Sequence, residues 1–278
     1  MKPIVLVGPT AAGKSELALA LCERLHATLV SMDAMQVYRG MDIGTAKSPP
    51  GVRARVPHRC VDIREPDEPF SAADFVAEAD AVAGPVLLCG GTTFYLRAWL
   101  DGLVPAPPAD AALRARLEAS ADPHAELGRV DPVLATRLHP HDRVRVVRGL
   151  EFFALTGRPL SAAWAEQGAT RRDATICWID HPNLYERIDR RVDAMMAEGY
   201  LDEVRSLLDR GYGRELKPMQ SLGYRHLAAY LAGEHSLDEA VRRTKRDTRH
   251  LARKQRGFLR ARGWEAMSSA EAWRKLLD

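Results

Sequence analysis

Ile4-Val5-Leu6-Val7-Gly8-Pro9-Thr10-Ala11-Ala12-Gly13-Lys14-Ser15 is the stretch from which the fold can be read. Its apolar opening predicts a strand, and the positions after it place Leu17, Ala18, Leu21 and Leu25 on one helical face. The loop between them has the form G-x-x-x-x-G-K-[ST]. Its glycines let several backbone N–H groups converge on one anion at the positive end of the new helix. Lys14 is spaced to reach terminal phosphates, and the Ser15 hydroxyl to hold Mg2+. Strand, loop and helix together predict a P-loop α/β core with a polyphosphate ligand. ATP is one such ligand, but the loop does not specify it.

The 278 residues suffice for one large or two small domains. A net charge of +3, from 40 basic and 37 acidic residues, selects no partner unless the charges cluster. Cys22, Cys60, Cys89 and Cys177 lack paired spacing, which suits reduced thiols and disfavours a zinc site. No apolar run reaches the roughly 18 residues of a membrane span. The chain enters a strand at once instead of a signal peptide, so a cytoplasmic location is expected.

The next apolar run, Ala27–Met32, ends in Asp33. As a second parallel strand it would place Asp33 at the carboxyl edge, where open α/β sheets bind ligands. A helix cap or turn residue is the other reading of Asp33. Gln36–Gly40 and Gly44–Lys47 make a polar loop on the same edge, Cys60–Ile63 reads as a short strand, and Ser71–Asp74 resembles a capping box for a helix to Ala83. Pro85–Cys89 reads as a buried strand, then Gly90-Gly91-Thr92 and a helix through Tyr95 and Trp99. An ATPase would usually end that strand in an Asp for Mg2+; the glycines here argue against a motor or ordinary ATPase. Thr92 caps a helix or faces the ligand edge.

Pro105-Ala106-Pro107-Pro108 reads as a linker. Helices are expected after Asp110, with Leu113 and Leu117; after Asp131-Pro132; and after Asp142, with a stripe of Val146, Leu150 and Phe153 ended by Gly157 and Pro159. Strand character returns at Ala174–Ile179. Residues 107–173 are therefore expected to form a helical insertion in a core made of 1–106 and 174–278. Asn183 with Glu186 reads as the cap of a helix to Gly199 with a stripe of Leu184, Ile188, Val192 and Met195, leaving Arg187 and Arg191 on another face. His139 and His141 flank a proline and read as a turn before a helix, not a metal pair.

Ser236 and Glu239 suggest a capping box for a long last helix. On it Arg242, Arg246, Arg249, Arg253, Arg256 and Arg260 recur at steps of four and three, on one face. Asp247 is the one acid between residues 242 and 262, so pairing within the helix cannot neutralise this ladder. It reads as a site for a phosphate backbone, or else as a solvated basic face. Arg143, Arg145 and Arg148 add a smaller basic group in the insertion.

Together these residues resemble the tRNA dimethylallyltransferases, which prenylate adenosine 37 beside the anticodon. Gly8–Ser15 is similar to the family's GPTASGK[TS] except at Ala12, and Asp33–Tyr38 to its DSxQVY, followed by Gly40–Lys47. Phe70–Phe75, Gly90-Gly91-Thr92 with Tyr95, Arg145–Glu151, Gly223-Tyr224, Lys245, Thr248-Arg249 and Arg253-Lys254-Gln255 follow in family order. Ala34 replaces a serine, Gln220 stands where an arginine often does, and Gly257-Phe258 replaces a Thr-Trp pair. No cysteine follows Cys177, so the chain resembles the bacterial type, without the zinc-finger tail of eukaryotic relatives.

The resemblance implies a P-loop-type core, a helical insertion around the anticodon stem-loop, and prenyl transfer from dimethylallyl diphosphate with Mg2+. By position, Asp33 resembles the general base for the adenine N6, Arg191 a basic residue at the reaction centre and Thr92 one lining the channel. Gly8, Thr10, Ala11, Ala12, Gly13, Lys14 and Ser15 resemble the diphosphate site. Asp33, Ala34, Met35, Gln36, Thr92, Arg114, Val144, Arg145, Val146, Val147, Arg148, Gln220, Ser221, Leu222, Gly223, Tyr224, Arg225, Arg249 and Arg253 are the expected tRNA contacts. A monomer is expected. The competing expectation is a small-molecule or nucleotide kinase, which shares the loop and the strand-edge Asp but has no use for an RNA-sized basic face.

Overall fold

Ile4–Val7, every residue of it buried, runs between two parallel neighbours in a computed structural model that describes residues 1–167 and 172–277. The core opens β1 (Ile4–Val7), α1 (Lys14–Leu25), β2 (Thr28–Met32), α2 (Pro50–Arg53), β3 (His58–Arg59), α3 (Ala72–Asp80), β4 (Val86–Gly90) and α4 (Thr93–Asp101). The helices α5 (Ala111–Glu118), α6 (Pro123–Val130), α7 (Pro132–Arg137), α8 (Arg143–Thr156) and α9 (Leu160–Gln167) follow. The core resumes with β5 (Thr175–Ile179), α10 (Leu184–Ala197), α11 (Tyr200–Asp209), α12 (Tyr224–Leu231), α13 (Leu237–Ala261), β6 (Ala266–Met267) and α14 (Ser269–Leu277).

The six strands form one parallel sheet in the order β3-β2-β4-β1-β5-β6. Ile4 is level with Leu87 on one side and Thr175 on the other. The chain leaves β1 toward β2, beyond β4, while β5 lies on the opposite flank. The carboxyl end of β1 is therefore beside the point where strand order reverses, the place where such sheets bind ligands. Ile4, Leu6, Leu17, Ala18, Leu21, Leu87, Cys177, Ile179, Leu184 and Ile188 share one core, so the apolar faces of α1 and α10 and the strands bury each other. The P-loop NTPase-like α/β fold expected from the sequence is the one found.

The chain divides into two compact units, Met1–Trp99 with Arg172–Asp278, and Leu100–Arg171. A clamp holds the points where the chain leaves and re-enters the first: Asp80 receives both guanidinium arms of Arg172, at 2.6 and 2.8 Å, and the Trp99 Nε1–H at 3.3 Å. Arg172 also sits 5.1 Å over the Trp99 ring. The second unit is helical, with Leu127, Leu134, Val146, Leu150 and Phe152 in its core. Asp110, Asp122, Asp131 and Asp142 each accept a backbone N–H at a helix start, and Pro123 and Pro132 sit inside two of those starts.

Several local expectations need correction. The short strand is His58–Arg59 and not Cys60–Ile63, because Cys60 and Asp62 adopt left-handed backbone at φ 60° and 54°. The Ser71–Asp74 capping box is present, but its helix stops at Asp80. Phe152, not Phe153, is the buried aromatic of α8. Asn183 makes no side-chain cap. At α13 only half of a box forms: Ser236 accepts the Glu239 N–H, while the Glu239 carboxylate turns to Arg242 and Arg243.

Candidate active site

The loop after β1 ends at Gly13, whose φ of 93° only glycine adopts cheaply, and no side chain caps α1. The first-turn N–H groups are thus left for an external anion. Lys14 forms the floor, 8% exposed, and its Nζ donates to the Pro9 carbonyl at 2.6 Å. Burial lowers its ammonium to about 8; Arg191 adds to that shift, and Cys89, Asp33 and Asp180 oppose it. Ser15 is exposed on the same cavity, about 670 Å³ in volume, which Thr10, Asp33, Gln36, Thr92 and Arg191 also line.

Asp33 follows β2 directly. Its Oδ1 accepts the Met35 N–H at 2.9 Å, so it is a turn residue and a cavity residue at once. Thr92, just beyond β4, donates its N–H to the Met32 carbonyl and accepts the Ala34 N–H on Oγ1, both at 3.1 Å. That hydroxyl ties the ends of two adjacent strands together. Gln36 is held at both ends of its amide, accepting from the Ser31 hydroxyl at 2.8 Å and donating to the Thr45 carbonyl at 3.0 Å. The Thr45 loop is itself clamped, since Glu203 accepts the N–H groups of Asp42, Ile43 and Gly44 at 2.7, 2.6 and 3.0 Å and the Tyr224 hydroxyl at 2.6 Å.

From α10, Arg187 Nε donates to the Ala11 carbonyl at 2.8 Å, and Arg191 lines the cavity one turn further on. Burial lowers the Arg191 guanidinium from its ordinary value; Asp33 opposes this and Arg187 reinforces it. From α13, Gln255 reaches the phosphate loop. Its Oε1 accepts the Thr10 N–H at 3.1 Å and its Nε2 donates to the Gly91 carbonyl at 2.8 Å. A Cβ on Gly91 would collide with that Nε2, which gives the second glycine of the pair a physical reason.

The arginine ladder is paired in part from its own helix and in part from outside it. Arg249 meets Asp189 at 2.5 and 2.7 Å, and Arg256 meets both oxygens of Asp180 at 2.8 Å. Arg242 pairs with Glu239 and Arg246 with Asp247. For Arg249 and Arg256 the acids come from α10 and from just after β5, remote in sequence. Arg253 and Arg260 are exposed and have no ion pair among the described residues.

Asp33, Ala34, Met35, Gln36, Thr92, Gln220, Ser221, Leu222, Tyr224 and Arg225 all reach the cavity wall. Tyr224 does so from a buried position, and Gly223 is a turn residue at φ 82°. Arg225 pairs with Asp247 at 2.6 Å. In the helical unit Glu151, fully buried, holds Arg114 at 2.8 and 2.9 Å, Arg148, and the Asp110 N–H at 3.1 Å. Val146 and Val147 are buried there, whereas Val144 is 82% exposed and Arg145 is exposed beside Asp142. His139 and His141 stand edge to face at 5.0 Å in the turn before α8.

Sequence reasoning assigned no role to Arg187, Glu203 or Gln255. Gln255 did carry a signal, a polar residue in the buried register of Ala252 and Leu259. Glu203 carried none, because the N–H donors it accepts from lie some 160 residues earlier.

The family model described as IPP transferase matches residues 36–262. The chain is 48% identical over 272 residues to tRNA dimethylallyltransferase 2 of Geotalea uraniireducens, covering 92% of this chain and 88% of that protein. It is 45% identical over 277 residues to tRNA dimethylallyltransferase of Geobacter sulfurreducens, covering 93% and 89%. Among solved structures, a tRNA isopentenylpyrophosphate transferase of Staphylococcus epidermidis superposes with a TM-score of 0.70 at 30% identity, covering 99% of this chain and 96% of that one. A eukaryotic dimethylallyltransferase acting on tRNA superposes with a TM-score of 0.81 at 27% identity, covering 93% and 70%.

Proposed function

The chain belongs to the IPP transferase family, and from that premise we propose that it moves a dimethylallyl group from dimethylallyl diphosphate to N6 of adenosine 37 in the tRNA anticodon loop, releasing diphosphate. One observation carries the reading: the anion loop floored by Lys14 shares a single cavity with the Asp33 carboxylate and the Arg191 guanidinium. Alkylating an exocyclic amine needs a leaving group whose developing charge is stabilised and an acceptor for the amine proton. Lys14, the N–H groups of the first turn of α1 and Arg191 supply the first. Asp33 supplies the second, taking the N6 proton as the carbon–nitrogen bond forms.

The oxygen donors Ser15 and Asp33 line the cavity, and no cluster of three His, Cys, Asp or Glu side chains occurs among the described residues. Such a donor set fits Mg2+ held by one or two protein oxygens together with the diphosphate. When bound, the ion would neutralise charge on the departing diphosphate.

A stacked base cannot enter the cavity, so the adenosine must be extruded, which is cheaper in a single-stranded loop than in a duplex. Gln36, held at both ends, and residues 220–225 are then the candidates for reading loop bases. Arg253 on α13 would hold a stem phosphate; in the helical unit, taken by itself, Arg114, Arg145 and Arg148 are the candidate phosphate contacts. No helix among the described residues is long and apolar enough to cross a membrane. A tRNA substrate would put the enzyme in the cytoplasm.

The test is to supply dimethylallyl diphosphate and tRNA and look for prenylated adenosine. Asp33→Ala is expected to lower single-turnover transfer by about 10²–10⁴-fold with diphosphate binding preserved. Equal turnover in variant and wild type would remove Asp33 from the chemistry. Phosphate release from ATP without RNA, and no prenylated product, would restore the kinase reading.

A further inference from the structure

We infer that Gln255 is a positioning residue for the transfer step, setting the distance between the leaving-group cradle and the proton acceptor; this rests on the proposed prenyl transfer. The two halves of the chemistry sit on different segments. The cradle follows β1, and Asp33 follows β2, with β4 between them in the sheet. A chain of hydrogen bonds spans that gap. The Thr10 N–H donates to Gln255 Oε1, and Gln255 Nε2 donates to the Gly91 carbonyl. Thr92, the next residue, accepts the Ala34 N–H, and Ala34 follows Asp33. The sheet ladder stops at Val7 paired with Gly90 and at Met32 paired with Gly90. Beyond that level, the side chains of Gln255 and Thr92 bridge the strand ends beside the backbone bond from Thr92 to Met32.

Three features make Gln255 more than a packing residue. It is 6% exposed, so water does not compete for its amide. Both ends of the amide are used, one as acceptor and one as donor, so its orientation is fixed. It also enters from α13, and Gly91 lacks the Cβ that would block it. Group transfer between held reactants is sensitive to spacing, and a misplacement of about 1 Å can lower the rate on the order of 100-fold. Gln255 touches neither reacting group. It acts through the backbone at Thr10 and Gly91.

Gln255→Met keeps the length and removes both polar ends. It is expected to lower kcat by roughly 30-fold while KM for dimethylallyl diphosphate and for tRNA stays within about threefold, because Lys14, Ser15 and the basic surface are untouched. Gly91→Ala displaces the same amide and is expected to lower kcat similarly. Combined with Gln255→Met, it should add less than about twofold, since the contact is already gone. Gln255→Glu keeps the acceptor for Thr10 and sets an oxygen against the Gly91 carbonyl; it gives a second variant with the same expected kcat loss should the methionine variant not fold. A variant kcat, per folded site, within about twofold of wild type would overturn the inference. So would a loss residing in KM, or fully additive effects of the two substitutions. Active wild type beside full-speed variants removes this inference alone; an inactive wild type removes the reaction and this inference with it.

Discussion

Replacing Lys14 by Met separates what the phosphate loop needs from what the fold prefers. Lys14 is nearly buried, and burial lowers its ammonium from 10.5 to about 8. At neutral pH the folded chain therefore carries a desolvated charge, which at about 1.36 kcal/mol per pKa unit destabilises it on the order of 3 kcal/mol. Methionine fills nearly the same volume without charge. It forfeits the 2.6 Å bond to the Pro9 carbonyl, worth about 1–2 kcal/mol when the acceptor is left unpaired. The variant is thus expected to be about 1–2 kcal/mol more stable than wild type at pH 7, raising Tm by a few degrees. The pH dependence has a definite sign. Between about pH 8 and 10.5 the native lysine has released its proton and the unfolded one has not, so wild-type stability rises with pH across that window relative to the variant. The gap closes or reverses by about pH 10. Because an anion in the cradle needs the charged form, wild-type affinity for inorganic diphosphate is expected to fall above about pH 8. Thermal unfolding at pH 7 and 10, with and without diphosphate, reads all of this. Saturating diphosphate at about 100 times Kd stabilises wild type by roughly 2.7 kcal/mol and leaves the variant unmoved. A variant less stable than wild type at pH 7, or a gap that ignores pH, would refute the reasoning.

Arg253→Ala is expected to reduce the slope of log affinity for tRNA against log salt by about 1, whereas Arg249→Ala, whose guanidinium is held by Asp189, changes the slope less. Equal slopes for wild type and Arg253→Ala would take that residue out of the interface. In the helical unit, Glu151→Ala strands the Arg114 and Arg148 guanidinium groups and the Asp110 N–H. Burial raises the Glu151 carboxyl and the two arginines more than offset it, leaving it below its usual value. The expected loss is about 2–3 kcal/mol, read as faster hydrogen exchange across α5 and α8. Unchanged exchange there would show the pairing to be unimportant.

Where the residues that build an element are neighbours in the chain, the sequence read well. Gly8–Ser15 announces its own strand, turn and helix because every group involved lies within one turn of the next. The Ser71–Asp74 box and the Asp131-Pro132 helix start are equally local. Expectations failed where a distant partner intervened. The arginine ladder read as unneutralised because the counted acids lay on its own helix, while Asp180 and Asp189 stand on elements some 60–76 residues away. Cys60–Ile63 read as a short strand, yet Cys60 and Asp62 adopt left-handed backbone and Asp62 pairs with Lys47 and Arg53.

By itself the sequence determined the parallel α/β core, the anion loop and the family, since these rest on periodicity, glycine placement and the order of motifs. Only the tertiary structure decided which polar groups meet: Arg187 on Ala11, Glu203 on the Asp42–Gly44 amides, and Gln255 between Thr10 and Gly91. Hydrogen bonds act over about 3 Å whatever the distance along the chain, so a contact spanning 245 residues becomes visible only once the sheet has brought its ends together.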